Sequence, residues 1–262
     1  MEQRLIKWGA VYVLVASGAV FVMYRLMNHI NPVAVLGLSL LYFIGCLLYL
    51  MLHMVVRLGP VNALLFCLLS TGISAGTELL GTKTGIIFGS YHYTEIMGPK
   101  IFGTLPALIP LVWLVIGYCA VEAAEWLFAW PAGPLRLRRR LAGAVIAAFM
   151  MTSWDLVMDP VTVAQSAWFW HGGGAWFGIP ISNYTGWLLT SLLIQVIFAV
   201  LRRPYDTTVP HASLARAIPV FGFFFALTVN SFGAVRLQLF GPAFAGFFIL
   251  GLLLCFGLGR RA

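Results

Sequence analysis

Residues 140–159 read RLAGAVIAAFMMTSWDLVMD, an apolar run whose charged residues lie only at or near its two ends. A helix that crosses a bilayer needs about 20 mostly apolar residues, so this run has the length and character of one membrane span. The chain contains seven further runs of the same kind, at about 8–27, 33–56, 61–80, 104–129, 184–201, 214–234 and 238–258. The sequence therefore predicts an all-α, polytopic transmembrane helical bundle of about eight spans.

The composition supports this fold class. Apolar residues make up 61% of the chain and charged residues 9%, whereas soluble domains carry about 45–50% and about 25%. This excludes an ordinary soluble domain, a disordered chain, a disulfide scaffold and a collagen-like fibre. The net charge of +8 comes from basic residues between the apolar runs, which are topology signals and no footprint of nucleic-acid binding. We expect residues 1–262 to form one membrane-embedded domain.

The distribution of Lys and Arg predicts the orientation. With eight spans, 12 of the 16 basic residues fall on the side that carries both termini. Basic loops face the cytoplasm, which predicts a multi-pass protein of the cell membrane with both termini cytoplasmic. The long connections 81–103 and 160–183 should then lie on the outer side. The run Arg136–Arg140 should contact anionic membrane lipid and form interfacial ion pairs with Glu122 and Glu125.

Three acidic residues lie where a membrane protein seldom places them. Glu78, Asp155 and Asp159 are near the predicted outer ends of two spans, where ionisable groups are costly and are functional candidates by default. The two aspartates are four residues apart and project from one helix face. In a low dielectric they cannot both ionise cheaply, so one is expected to keep its proton, as general acid/base chemistry requires. A structural hydrogen-bonded pair or a salt bridge is the alternative interpretation.

The two long connections are rich in glycine and aromatic residues. They contain GTKTGIIFGSYHY at 81–93 and HGGGAWFGIPISNYTGW at 171–187. Polar groups here could position water and the acids, and indole faces could stabilise a cation, although an interfacial aromatic belt would look similar. The candidates for substrate binding are Tyr91, Tyr93, Asn183, Tyr184, Trp154 and Trp176. The five histidines are scattered, and no metal-binding or phosphate-binding motif is present, so we predict neither a metal nor a cofactor.

Three blocks of this sequence resemble a known family. They are ELLGTKTGIIFGSYHY from Glu78, DLVMDPV from Asp155 and WFGIPISNYTGW from Trp176. These blocks are similar to those of the integral-membrane carotenoid biosynthesis proteins, which include bisanhydrobacterioruberin and γ-carotene 1′-hydratases. The resemblance implies a lipophilic carotenoid substrate and a cofactor-independent addition of water to the terminal C1,C2 double bond of an acyclic end.

The roles of the acids are our own hypothesis and are not carried over from the family. Asp159 or Asp155 would protonate C2, with its neighbour tuning it, and Glu78 would orient the water that attacks the tertiary cation at C1. Two other classes of function remain open at this point. One is an isoprenoid end-group cyclase or isomerase, and the other is a non-enzymatic carotenoid-binding or proton-coupled transport protein.

Overall fold

The computed structural model describes residues 32–128, 136–205 and 214–259. Within these residues the chain forms seven helices, each of which corresponds to one predicted span. They are α1 (Pro32–Leu58), α2 (Pro60–Thr84), α3 (Leu108–Leu127), α4 (Leu137–Ala164), α5 (Ile181–Leu201), α6 (Leu214–Arg236) and α7 (Phe240–Gly259). The predicted span 8–27 lies outside the described residues, so the count of eight stays a prediction.

The helices have the dimensions of membrane spans. Among the described residues, six helices, α2 to α7, are long and apolar enough to cross a bilayer by length and composition. In α1, the segment Ile44–Leu58 is apolar but shorter. The structure thus agrees with a multi-pass helical membrane protein, while the cytoplasmic location of the termini stays a prediction.

The break between α1 and α2 shows how the sequence sets helix ends. Gly59 adopts a positive φ of 83°, a conformation that costs glycine little. Pro60 then opens α2 at the first helical position, where a missing N–H is harmless. The predicted boundary between the spans 33–56 and 61–80 is confirmed.

The predicted end of the span 140–159 was wrong by about one turn. The helix α4 continues through Pro160 to Ala164. Proline has no N–H, so the carbonyl of Leu156 loses its helical partner. The indole N–H of Trp176 donates to that carbonyl at 2.9 Å. This external donor replaces the missing helical hydrogen bond and lets the helix pass the proline.

The long connections contain short strands that the all-α prediction did not include. Two antiparallel pairs are present: β1 (Tyr91–Tyr93) with β4 (Trp168–Trp170), and β2 (Lys100–Ile101) with β3 (Leu105–Pro106). The first pair joins the two connections directly, with Tyr91 opposite Trp170 and Tyr93 opposite Trp168. The second explains why α3 begins at Leu108 and not near residue 104.

The described residues divide into two compact units. One comprises residues 32–64, 204–205 and 214–218, and the other comprises 65–128, 136–203 and 219–259. Within the larger unit, α4 packs against α3, α5 and α7. All of the candidate site residues lie in this larger unit. The expectation of a single domain over 1–262 stays a prediction.

Candidate functional site

Three carboxyls from two helices share one buried site. Glu78 of α2 is 3% exposed, and Asp155 and Asp159 of α4 are 0% and 2% exposed. Both aspartates interact electrostatically with Glu78, and they also interact with each other. The structure therefore brings together the three acids that the sequence singled out, in surroundings without bulk solvent.

Glu78 is surrounded by hydrogen-bond donors. The hydroxyls of Tyr91 and Tyr93 both donate to its Oε2, the latter at 2.8 Å, and the indole N–H of Trp113 donates to Oε1 at 3.1 Å. Burial raises the pKa of both tyrosines well above the usual value, and the charge of Glu78 adds to this effect. The two phenols therefore keep their protons and remain donors. Three donors are what an ionised carboxylate, which can only accept, requires.

One side-chain amide bonds to both aspartates. The side-chain amide of Asn183, in the first turn of α5, donates from Nδ2 to Asp155 Oδ2 at 3.0 Å and to Asp159 Oδ2 at 2.5 Å. Asn183 is itself buried. One amide group thus holds two carboxyls side by side, and the aspartate pair is chemically distinct from Glu78 with its three donors.

A group of three indoles connects the helices around the acids. Trp113 of α3 stacks on Trp187 of α5 with ring centroids 4.1 Å apart, and Trp154 of α4 meets Trp187 edge-on at 6.0 Å. Sequence reasoning selected Trp154 but missed Trp113 and Trp187. The position of Trp187, four residues after Asn183 and therefore on the same helix face, was a usable signal. Nothing in the local sequence distinguished Trp113.

Some polar atoms at the site are buried without a hydrogen-bond partner among the described residues. They are Asp155 Oδ1, the hydroxyl of Tyr184 and the indole nitrogen of Trp154. Tyr184 also interacts electrostatically with both aspartates. Buried polar groups are nearly always paired in native proteins, so these atoms are candidates to bind a small polar reactant such as water.

Trp176 is placed differently from the other candidates. Its indole N–H is directed at the Leu156 carbonyl and not at the carboxyls, so its position is explained by the proline in α4. The prediction that its indole face stabilises a cation stays a prediction.

Among the described residues, no group of three or more His, Cys, Asp or Glu side chains has the arrangement of a metal site. The carboxyls of Glu78, Asp155 and Asp159 form the carboxyl cluster. They are bonded to Tyr91, Tyr93, Trp113 and Asn183.

Comparison with known proteins places this arrangement in context. The profile of the carotenoid biosynthesis protein family matches residues 36–253, a range that includes the whole carboxyl site. The bisanhydrobacterioruberin hydratase of Haloarcula japonica is 30% identical over 125 residues, which cover 48% of this chain and 41% of that relative. The match therefore covers less than half the length of that relative. No solved structure matches the chain. The range of the family match settles membership: this chain belongs to the carotenoid biosynthesis protein family.

Proposed function

We propose that this protein is a cofactor-independent hydratase that adds water to the terminal C1,C2 double bond of an acyclic carotenoid end. The observation that carries the proposal is the buried cluster in which Glu78 has three donors while Asp155 and Asp159 share one amide. The family membership and the similarity to a hydratase support the substrate class and the reaction.

The aspartate pair serves as the acid. Two adjacent negative charges are costly in a site that excludes water, so a pair of this kind favours a single shared proton. That proton passes to C2 as the π electrons form the new C–H bond, which leaves the positive charge on the tertiary carbon C1. Because coupled carboxyls titrate as a pair, the acid is Asp155 and Asp159 together.

Glu78 serves as the base. In its carboxylate form, which the three donors stabilise, it can accept the proton that water releases as the water oxygen bonds to C1. Return of this proton to the aspartate pair restores the starting state, and the balance is one alkene and one water giving one tertiary alcohol. The indoles of Trp113, Trp187 and Trp154 supply aromatic faces for the transient cation. Preorganised groups aimed at developing charge are usually the largest contribution to catalysis.

The experiment that tests this uses the full chain in lipid nanodiscs with an acyclic carotenoid that has unmodified ends. A gain of one water per reacted end by mass spectrometry, with solvent deuterium at C2 when the reaction is run in deuterated water, is the expected result. A product of unchanged mass would overturn the proposal in favour of a cyclase or isomerase. Carotenoid recovered unchanged would overturn it in favour of a binding or transport protein.

The acid is tested with the double variant Asp155→Asn/Asp159→Asn, which should lose hydration. The control is Glu95→Gln, because the Glu95 side chain is 92% exposed and pairs with Lys100 and not with a residue of the aspartate pair. Hydration by the double variant at the wild-type rate would show that the aspartates are not the acid.

A further inference from the structure

Three helices of the larger unit carry residues at four-residue spacing that run from the carboxyl cluster toward the other end of the bundle. Residues four apart lie on one face of a helix, so each series is a ladder. The ladders are Ser70, Ser74 and Glu78 on α2; Trp113, Gly117, Val121 and Glu125 on α3; and Asn183, Trp187, Ser191 and Gln195 on α5. Each ladder begins at a residue of the site, because Trp113 bonds to Glu78 and Asn183 bonds to the aspartates.

The three ladders meet at Gly117. The amide of Gln195 donates to the Gly117 carbonyl at 3.4 Å. A Cβ atom built on Gly117 would lie 3.6 Å from Gln195 Nε2 and 4.0 Å from Ser70 Oγ. The Phe66 ring lies 3.8 Å from the same point, so the absence of a side chain at Gly117 keeps the contact between the helices close to both polar groups.

The middle of these ladders contains hydroxyls that lack partners. Ser70 and Ser191 are each 1% exposed, and the Oγ atoms of both have no hydrogen-bond partner among the described residues. Buried polar groups of this kind are typically satisfied by internal water. Ser74 and Gln195, on the same ladders, are also buried.

The ladders of α3 and α5 both border a small cavity at their far ends. Gln195 lines this cavity with Glu125, Arg140 and Arg202, among others. Arg140 donates to the Val200 carbonyl at the end of α5 at 3.2 Å and to the Arg202 carbonyl just after the helix at 3.0 Å. Arg202 itself lies 3.6 Å from Glu125. Glu125 thus pairs with Arg202, while its predicted ion pair with the run 136–140 stays a prediction. Because this end of the bundle carries charged side chains, we expect it to contact water.

The opposite end of the site is covered. Strands β1 and β4 pair across it, and Phe88 of the first connection is 1% exposed. The same connection lies so close to α5 that a Cβ on Gly186 would be 2.6 Å from the Ile87 carbonyl oxygen. The polar groups of the ladders therefore lie on one side of the carboxyls and the packed cover on the other.

We infer that the ladders form a path that delivers water from the cavity at Glu125 and Arg202, past Gly117, to the carboxyl cluster. The purpose of the path rests on the proposed function, because hydration consumes one water per reacted end. The path itself is a physical property of the bundle and can be measured without substrate.

The test follows hydrogen–deuterium exchange of the protonated carboxyl by infrared spectroscopy, after transfer of the protein in nanodiscs to deuterated water. Gly117→Leu and Ser70→Val fill the path at its narrow point, and both should slow the exchange. A slowing of roughly tenfold corresponds to about 1.4 kcal/mol of added barrier. The controls are Gly72→Leu, where nothing lies within 4 Å, and Thr71→Val, whose hydroxyl bonds to the Cys67 carbonyl.

The outcomes separate this inference from the proposed function. Slow exchange in both path variants and wild-type exchange in both controls would support the path, even if no carotenoid is hydrated. Wild-type exchange in Gly117→Leu and Ser70→Val, with both variants folded by thermal scanning, would overturn the path even if the wild-type protein is an active hydratase.

Discussion

Replacing Glu78 by glutamine tests whether Glu78 is the base and the aspartate pair the acid. The native carboxylate accepts from Tyr91 and Tyr93 at Oε2 and from Trp113 at Oε1. Glutamine has the same shape but only one acceptor oxygen. An indole N–H can only donate, whereas a phenol can donate or accept. The amide oxygen must therefore face Trp113, and its NH₂ group must face the two phenols, which can rotate to accept.

This geometry determines the expected size of the effect. The hydrogen bonds are reorganised and not lost, so the free energy of unfolding should fall by only about 1 kcal/mol. The amide cannot take a proton from water, and a positioned general base typically contributes about 10²- to 10⁴-fold to the rate. This corresponds to about 2.7–5.4 kcal/mol of barrier at 1.36 kcal/mol per decade. We therefore expect a large fall in hydration rate with little change in thermal stability.

The assay is the initial rate of water addition to an acyclic carotenoid in nanodiscs, measured by mass spectrometry alongside a thermal unfolding scan. The matched control is Glu122→Gln in α3, since Glu122 is also buried but does not belong to the cluster. A Glu78→Gln variant that hydrates within about threefold of the wild type, less than 0.7 kcal/mol of barrier, would refute the assignment of the base. An equal loss in the control would refute it too.

Three further predictions follow from the same contacts. Asn183→Leu removes the amide that bonds both aspartates. The value of kcat/KM should fall by about 10- to 100-fold, equivalent to about 1.4–2.7 kcal/mol, and an unchanged value in the pigment assay would contradict this. Because the folded state raises the pKa of Tyr91 and Tyr93 while unfolded tyrosine ionises near pH 10, the unfolded chain loses these protons first. Stability should thus hold below about pH 10 and fall above it; a Tyr91→Phe/Tyr93→Phe variant should show a shallower fall in alkaline melting curves, and equal slopes would argue against the effect. Gly186→Ala places a Cβ 2.6 Å from the Ile87 backbone oxygen, so the free energy of unfolding should drop by about 1–3 kcal/mol; an unchanged melting temperature would show that the connection can move away.

The candidate site was only partly predictable from sequence. Glu78, Asp155 and Asp159 could be selected because a carboxyl is costly in an apolar run wherever its neighbours lie. Asn183 could be selected because it lies beside a helix start in a polar block. Trp113 could not, since one tryptophan in an apolar helix gives no sign that its N–H will meet a carboxylate from another helix.

Pro160 and Trp176 are a second case in which the sequence alone did not predict the structure. A proline inside an apolar run indicates a helix end when only the chain is read, because the residue removes a hydrogen bond. The helix continues here because an indole 20 positions away in sequence donates to the freed carbonyl. No local pattern encodes a donor that comes from a distant connection.

The sequence by itself determined the fold class and the candidate acids. Backbone groups cannot stay exposed and charges cannot stay unpaired in lipid, so the segments must be apolar helices with basic residues at their ends. An acidic residue inside such a helix is therefore easy to recognise. Only the tertiary structure decided which of those acids share donors, how the indoles meet, and which hydroxyls are buried. The physical reason is that hydropathy is a property of single residues summed along the chain, whereas hydrogen bonds and stacking depend on the packing of helices distant in sequence.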